Sequence, residues 1–327
     1  MRLDIVVPDW AQRLASDLTD MDRAPVAVEP GEVVSYDLPD DVYFEYAFGD
    51  GNGKLLPDPA APERAMTIWY GEVSAVRGPE YKQAELAEPP AGLDLGTTDR
   101  LRLGSPAMGG QTRRVSVYTP AGAPDGPLPL VVVQDGVAAY RTGRVHQVAQ
   151  ALFDRGEVRP ARFAFLEPVD RLSEYAFDET YQDFMHDELL PHLQERYPLA
   201  DEVVWLGFSL GGLASARAAL RATERGEGRH TVAAFSGAFK GVPADPDPYR
   251  APRSWLADAI EDASVPLPDD WYLEVGTLEW LLDVNRRVAT ALDERGTNVE
   301  LRERSAGHNW TNWRNGLGDA LRFALRR

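Results

Sequence analysis

Hydrophobic positions along the 327-residue chain change rhythm part-way through. Up to about residue 95 they fall in short runs that alternate with polar residues or gather aromatic and β-branched side chains. Examples are "VYFEYAFGDGNGKLLPDP" (Val42 to Pro59) and "MTIWYGEVSAV" (Met66 to Val76), each bounded or broken by Gly, Asn or Pro. Period-two alternation with such breakers predicts short strands joined by turns, and so a small β-sandwich domain over residues 1–95. "LAEPPAGLDLG" (Leu86 to Gly96) reads as a linker, and "DRLRLGS" with "TRRVSVYTP" as an antiparallel pair opening a second domain over residues 96–327.

From about Pro129 onwards "PLVVVQDG", "ARFAFLEPV", "EVVWLGFS", "HTVAAFSGAF", "WYLEVGT" and "NVELRERSA" have strand character. Helical periods separate most of them: Tyr181, Met185, Leu189 and Leu193 recur every four residues, and Leu281, Val284, Val288 and Leu292 every three or four. Strand and helix in alternation predict an α/β domain, a largely parallel sheet covered on both faces.

Composition narrows the function. A hydrophobic share of 44% and a charged share of 26% are those of a soluble globular protein. No apolar run approaches the ~18 residues of a membrane span, and "MRLDIVVPDWAQRLASDLTD" is not built like a secretory signal. The absence of cysteine removes disulfides, thiolate catalysis and Cys-ligated zinc. These features predict a cytoplasmic protein that acts on neither membranes nor, at a net charge of −18, nucleic acid. An anionic substrate would need local arginines.

The candidate chemistry centres on "VVWLGFSLGGLASARAAL" (Val203 to Leu220). Ser209 stands where a buried strand meets a helix, between Gly207 and Gly211 and just before Gly212, the context of a nucleophile elbow in an α/β-hydrolase. A serine hydroxyl needs a base, and in this fold the acid and then the histidine follow the serine in loops after later strands. Of five histidines, His146, His186 and His192 lie in predicted helices and His230 precedes a strand at the wrong end of the sheet. His308, in "SAGHNWTNW", follows the last strand and is the candidate base. Glu279, in "GTLEWLL", is the candidate acid, with Asp283 in reserve and Glu274 read as structural. The oxyanion hole would use the amide of Leu210 and one from Gly136 or Val137. This chemistry needs no metal or cofactor, and its partner is a small ester.

The chain from about Arg100 resembles the enterochelin esterases, within the esterase D-like α/β-hydrolases that also include feruloyl and acetylxylan esterases. The resemblance rests on "VVVQDG", "DRLSEY", "FMHDELLPHL", "GFSLGGLAS", "LEVGTLEWLLDVNRRVATAL" and "GHNWTNWRNGL". It implies a serine esterase acting on an enterochelin-like catecholate siderophore, after an immunoglobulin-like module to which "YFEYAFGDGNGKLLPDPAAP" is similar. It also implies a substrate-binding role for Arg171, whose other reading is an ion pair with Glu174 or Asp178. Phe239 is the only aromatic in "AFKG", where the family tends to place aromatics, and Trp310 offers a second stacking face or packs under the last helix. The rival readings are a carbohydrate acyl esterase and a non-catalytic binding protein on a hydrolase scaffold.

Overall fold

A computed structural model describes residues 1–21, 23–247 and 251–326. The chain forms two compact units. The first joins residues 1–84 to two later segments, 275–282 and 303–312; the second holds 85–274, 283–302 and 313–327.

The first unit is built on antiparallel strands. One sheet runs in the order Val26–Ala27, Arg13–Ser16, Tyr43–Gly49, Gly71–Arg77, Glu63–Thr67, with Leu55–Leu56 also paired to Tyr43–Gly49. A second sheet pairs Arg2–Val6 with Val33–Asp37. Both sheets contribute to one core, in which Ile5, Val34 and Tyr36 meet Leu14, Phe44, Tyr46, Phe48 and Val76. Tyr43–Gly49, at the centre of its sheet, is buried along its whole length, while Val33–Asp37 alternates exposed and half-buried positions.

The second unit carries an eight-stranded mixed sheet. Its order is Asn298–Arg304, Asp270–Gly276, Arg229–Phe235, Leu199–Phe208, Leu128–Val133, Arg162–Leu166, Gln111–Thr119, Thr97–Ser105. Gln111–Thr119 is antiparallel to both its neighbours, and pairing from Arg162–Leu166 through Asp270–Gly276 is parallel. Leu128–Val133, Arg162–Leu166 and Asp270–Gly276 are buried at every position, as a sheet covered on both faces requires. No helix among the described residues is long and apolar enough to cross a membrane.

The strict four-residue spacing of Tyr181, Met185, Leu189 and Leu193 has a structural cause. The helix is α over Glu179–Asp183, widens to a π turn over Phe184–Leu189, and returns to α over Leu190–Arg196. A period of four lies between the 3.6 of an α-helix and the wider π turn, so all four side chains stay on one wholly buried face.

The three helical histidines stand in helices as expected, but His230 lies inside the strand Arg229–Phe235 rather than ahead of it, because the pairing with Glu202–Phe208 begins at Arg229. His146 is held in an aromatic box, stacked on Tyr140 at 3.7 Å and edge-on to Tyr118 and Phe165. Burial lowers its pKa to about 4, and burial followed by repulsion from Arg225 and Arg221 lowers that of His186 to about 3. Unfolded, each would bind a proton near its ordinary pKa of about 6.5. Their contribution to stability is therefore complete above that value and is lost as pH falls below it towards the folded pKa. His146→Phe should flatten the fall in Tm between pH 6.5 and 4. Thermal unfolding across that range checks this, and an unchanged slope would contradict it.

Candidate active site

Ser209 ends the strand Leu199–Phe208 and immediately precedes the helix Leu210–Glu224. Its backbone is at φ 57° and ψ −122°, a conformation that costs a non-glycine residue about 1–3 kcal/mol. Backbone hydrogen bonds hold it there, the longest from the Leu213 amide to its carbonyl at 3.4 Å. Its amide donates to the Phe235 carbonyl at 2.8 Å, and its carbonyl accepts from Gly212 at 2.9 Å and Ala238 at 3.0 Å. A Cβ on Gly207 would lie 2.0 Å from the Gly211 carbonyl oxygen, so only glycine lets the strand turn into the helix so tightly. Leu210 is the first residue of that helix, a position whose N–H no intrahelical carbonyl takes.

Around the elbow the same unit gathers the other expected residues. Gly136 opens the short helix Gly136–Arg141 after Asp135, which is in a left-handed conformation. The Val137 amide donates to the Glu167 carboxylate at 2.8 Å, so this candidate oxyanion donor already has an acceptor, one the sequence did not suggest. Burial raises the pKa of that carboxyl. Arg171 forms a bidentate pair with Asp135, at 2.6 and 2.9 Å, and donates to the carbonyl of Phe208 at 3.2 Å. Of the two carboxylates near it in sequence, Glu174 pairs with the buried Arg113 and Asp178 caps the helix at Thr180. Arg171 thus braces the strand end that carries Ser209.

The expected acid and base meet in the first unit. His308 Nδ1 lies 2.7 Å from Glu279 Oε2, and Glu279 Oε1 accepts from the Gly276 amide at 2.8 Å. The Glu279 side chain is fully buried while that of His308 is 15% exposed, which leaves the imidazole a face to work with. A carboxylate on Nδ1 makes that nitrogen the donor and leaves the lone pair on Nε2. The backbone beside the pair is tied down by hydrogen bonds from Thr277 to the Arg304 carbonyl and from Leu278 to that of Ala306. Asp283 is exposed at the start of the helix Leu282–Glu294, and Glu274 is buried and accepts from Tyr272.

Phe239 is wholly buried and its ring fills the space a Cβ on Gly237 would need, so it packs rather than faces solvent. Trp310 is buried at the start of the last helix. A cavity of about 950 Å³ bordered by Arg217, Arg221, Trp255 and Asp258 includes none of the candidate residues.

With this geometry in hand, the comparisons give the family. The model of the family "Esterase" matches residues 105–324, well over half of the chain. The chain belongs to the esterase family. Among curated proteins the chain is similar to the iron(III) enterobactin esterase of Escherichia coli (strain K12), with 28% identity over 192 residues, 54% of this chain. The match spans 46% of that relative's length, so the chain covers under half of it. Solved structures of similar fold include the enterobactin esterase of Shigella flexneri in the presence of 2,3-dihydroxy-N-benzoyl-serine. It has 20% identity and a TM-score of 0.74 over 98% of this chain and 91% of that one. The ferric enterobactin esterase of Salmonella typhimurium has 18% identity and a TM-score of 0.76, over 99% and 92%. A ferulic acid esterase is similar in fold with 19% identity and a TM-score of 0.58, over 71% of this chain and 99% of that one.

The close approach at the elbow gives a graded expectation. Gly207→Ala should destabilise the protein by at least about 3 kcal/mol, at or beyond the upper end for overpacking, because the atom it strikes is backbone. At Gly212 a Cβ would lie 3.2 Å from Ala234 Cβ and Gly237 Cα, so Gly212→Ala should cost clearly less. Denaturant unfolding of the two variants orders them.

Proposed function

We propose that this protein is a serine esterase that hydrolyses the ester bonds of an enterobactin-like catecholate siderophore in the cytoplasm. Ser209 is the nucleophile, His308 the general base and Glu279 the acid that orients it. The observation that carries this reading is the 2.7 Å hydrogen bond between His308 and a buried Glu279 itself held by the Gly276 amide. His308 Nε2 takes the Ser209 proton as the hydroxyl oxygen attacks the ester carbonyl. The tetrahedral intermediate expels the alcohol, which receives that proton, and water activated by the same imidazole releases the acid and restores the serine. Buried Glu279 stabilises the imidazolium formed in each half-reaction.

The oxyanion is received by the Leu210 amide and by that of Val137 or Gly136, with Glu167 yielding the Val137 N–H as substrate enters. Arg171 and Trp310 contribute to substrate binding, and residues 1–95 form an immunoglobulin-like module ahead of a catalytic domain over 96–327. Support for the siderophore comes from likeness to enterobactin esterases along 98–99% of this chain, the N-terminal module included. A second reading, hydrolysis of feruloyl or acetyl esters of sugars, is favoured by the ferulic acid esterase likeness and by the burial of Phe239, which withdraws one aromatic from the substrate.

Chromatographic assay of iron(III) and iron-free enterobactin beside a feruloylated oligosaccharide separates these readings. Release of dihydroxybenzoyl-serine that falls by about 10⁴-fold in Ser209→Ala is expected. Cleavage of the sugar ester alone would favour the second reading, and near-full activity of Ser209→Ala would overturn the mechanism. Glu279→Gln should be far more damaging than Asp283→Asn, whose side chain is exposed.

A further inference from the structure

The loop that carries His308 rests on a carboxyl from far away in sequence. Asp17, in the short helical turn Asp17–Thr19, is buried, and its Oδ2 accepts the Glu45 amide at 2.7 Å. Its oxygens also lie 3.4 and 3.5 Å from Asn309 Nδ2. On the other side of the histidine the same carboxyl occupies the place of a missing side chain. A Cβ on Gly307 would lie 2.1 Å from Asp17 Cγ and 2.2 Å from its Oδ1. Asp17 therefore touches the residue before His308 and the residue after it.

Both neighbours are themselves fixed. Asn309 Oδ1 accepts the amide of Asn312, three residues on, which makes Asn309 the N-cap of the helix Trp310–Ala324. Asn312 Nδ2 and the Asn309 amide both donate to the Gly307 carbonyl, at 3.1 and 3.0 Å. One residue further back, the Tyr43 amide donates to the Ser305 carbonyl at 2.9 Å and Tyr43 bridges Ala306. The backbone from Ser305 to Asn309 is thus gripped on each side of the imidazole by residues of the N-terminal segment.

We infer that Asp17 is a positioning residue for His308, locking the Gly307–Asn309 backbone so that the imidazole meets Glu279. Its kinetic consequence rests on the serine-esterase reading; its structural consequence does not. Burial, and after it the neighbouring Glu45 carboxylate, push the Asp17 carboxyl well up and favour its neutral form. The role rests on the carboxyl oxygens as hydrogen-bond acceptors of a set shape. The groups facing the cluster are Glu45, whose carboxylate accepts from Tyr43, then Glu279, and Asp20, whose carboxyl acts on His308.

The test compares Asp17→Asn, which keeps an oxygen able to accept from both Glu45 and Asn309, with Asp17→Leu, of similar bulk but without an acceptor. The readouts are kcat and KM on the ester the wild type cleaves, and the low-field imidazole N–H proton of the His308–Glu279 bond, assigned by its loss in Glu279→Gln. In Asp17→Leu we expect kcat to fall about a hundredfold, as for a misplaced catalytic group, with KM within about twofold and the N–H resonance lost. Asp17→Asn should restore both. If Asp17→Leu does not fold, Asp17→Ala is read in the same way. A folded Leu or Ala variant with a lowered Tm but wild-type kcat and an intact resonance would overturn the proposal. The resonance needs no turnover, so the inference fails or stands separately from the assignment of Ser209.

Discussion

A carboxylate removed from water must be met by hydrogen-bond donors, and at Glu279 the donors are a backbone amide and an imidazole. That requirement organises the two loops that carry the acid and the base. Glu279 reaches back to the amide of Gly276, at the end of its own strand, so the loop must turn tightly. A Cβ on Gly276 would lie 2.2 Å from the Ala306 carbonyl oxygen, which shows how closely the acid loop and the histidine loop approach. With both carboxylate oxygens engaged, the imidazole is held as the tautomer that carries its proton on Nδ1.

The serine faces a complementary constraint. Its backbone is held in a conformation that serine on its own would not adopt, by hydrogen bonds from one neighbouring strand end and from the turn after it. The Arg171–Asp135 pair, donating to Phe208 just before the serine, adds a charged brace to the same corner. The Arg171 side chain remains 30% exposed while it makes this brace. The Val137 amide, in the first turn of a short helix, is met by the Glu167 carboxyl.

What could be read from the sequence was local. The glycines around Ser209, the acid just past a strand end and the histidine between the last strand and last helix each stand within a few residues of the feature that betrays them. The α/β alternation was legible for the same reason, since period alone separates a buried strand from an amphipathic helix. The π turn was half-visible as a spacing of four. Partners brought together by the fold left no such trace. Asp17 and Asn309 are 292 residues apart, and nothing near "SDLTD" points to a histidine loop. Likewise, pairing Arg171 with Glu174 follows from sequence proximity, whereas the fold offers that carboxylate to Arg113 first. Asn309 was the one readable member of its cluster, an asparagine just before a helix with a second asparagine three residues on.

The proposed mechanism predicts a Ser209 hydroxyl far more nucleophilic than any other in the chain. The most direct measurement is intact-mass and peptide mapping after brief treatment with a fluorophosphonate, which reports nucleophilicity whatever the natural ester. One adduct on the peptide that contains Ser209, formed many times more slowly in His308→Gln, is the predicted result. Labelling that is absent, lies elsewhere or is indifferent to His308 would contradict it.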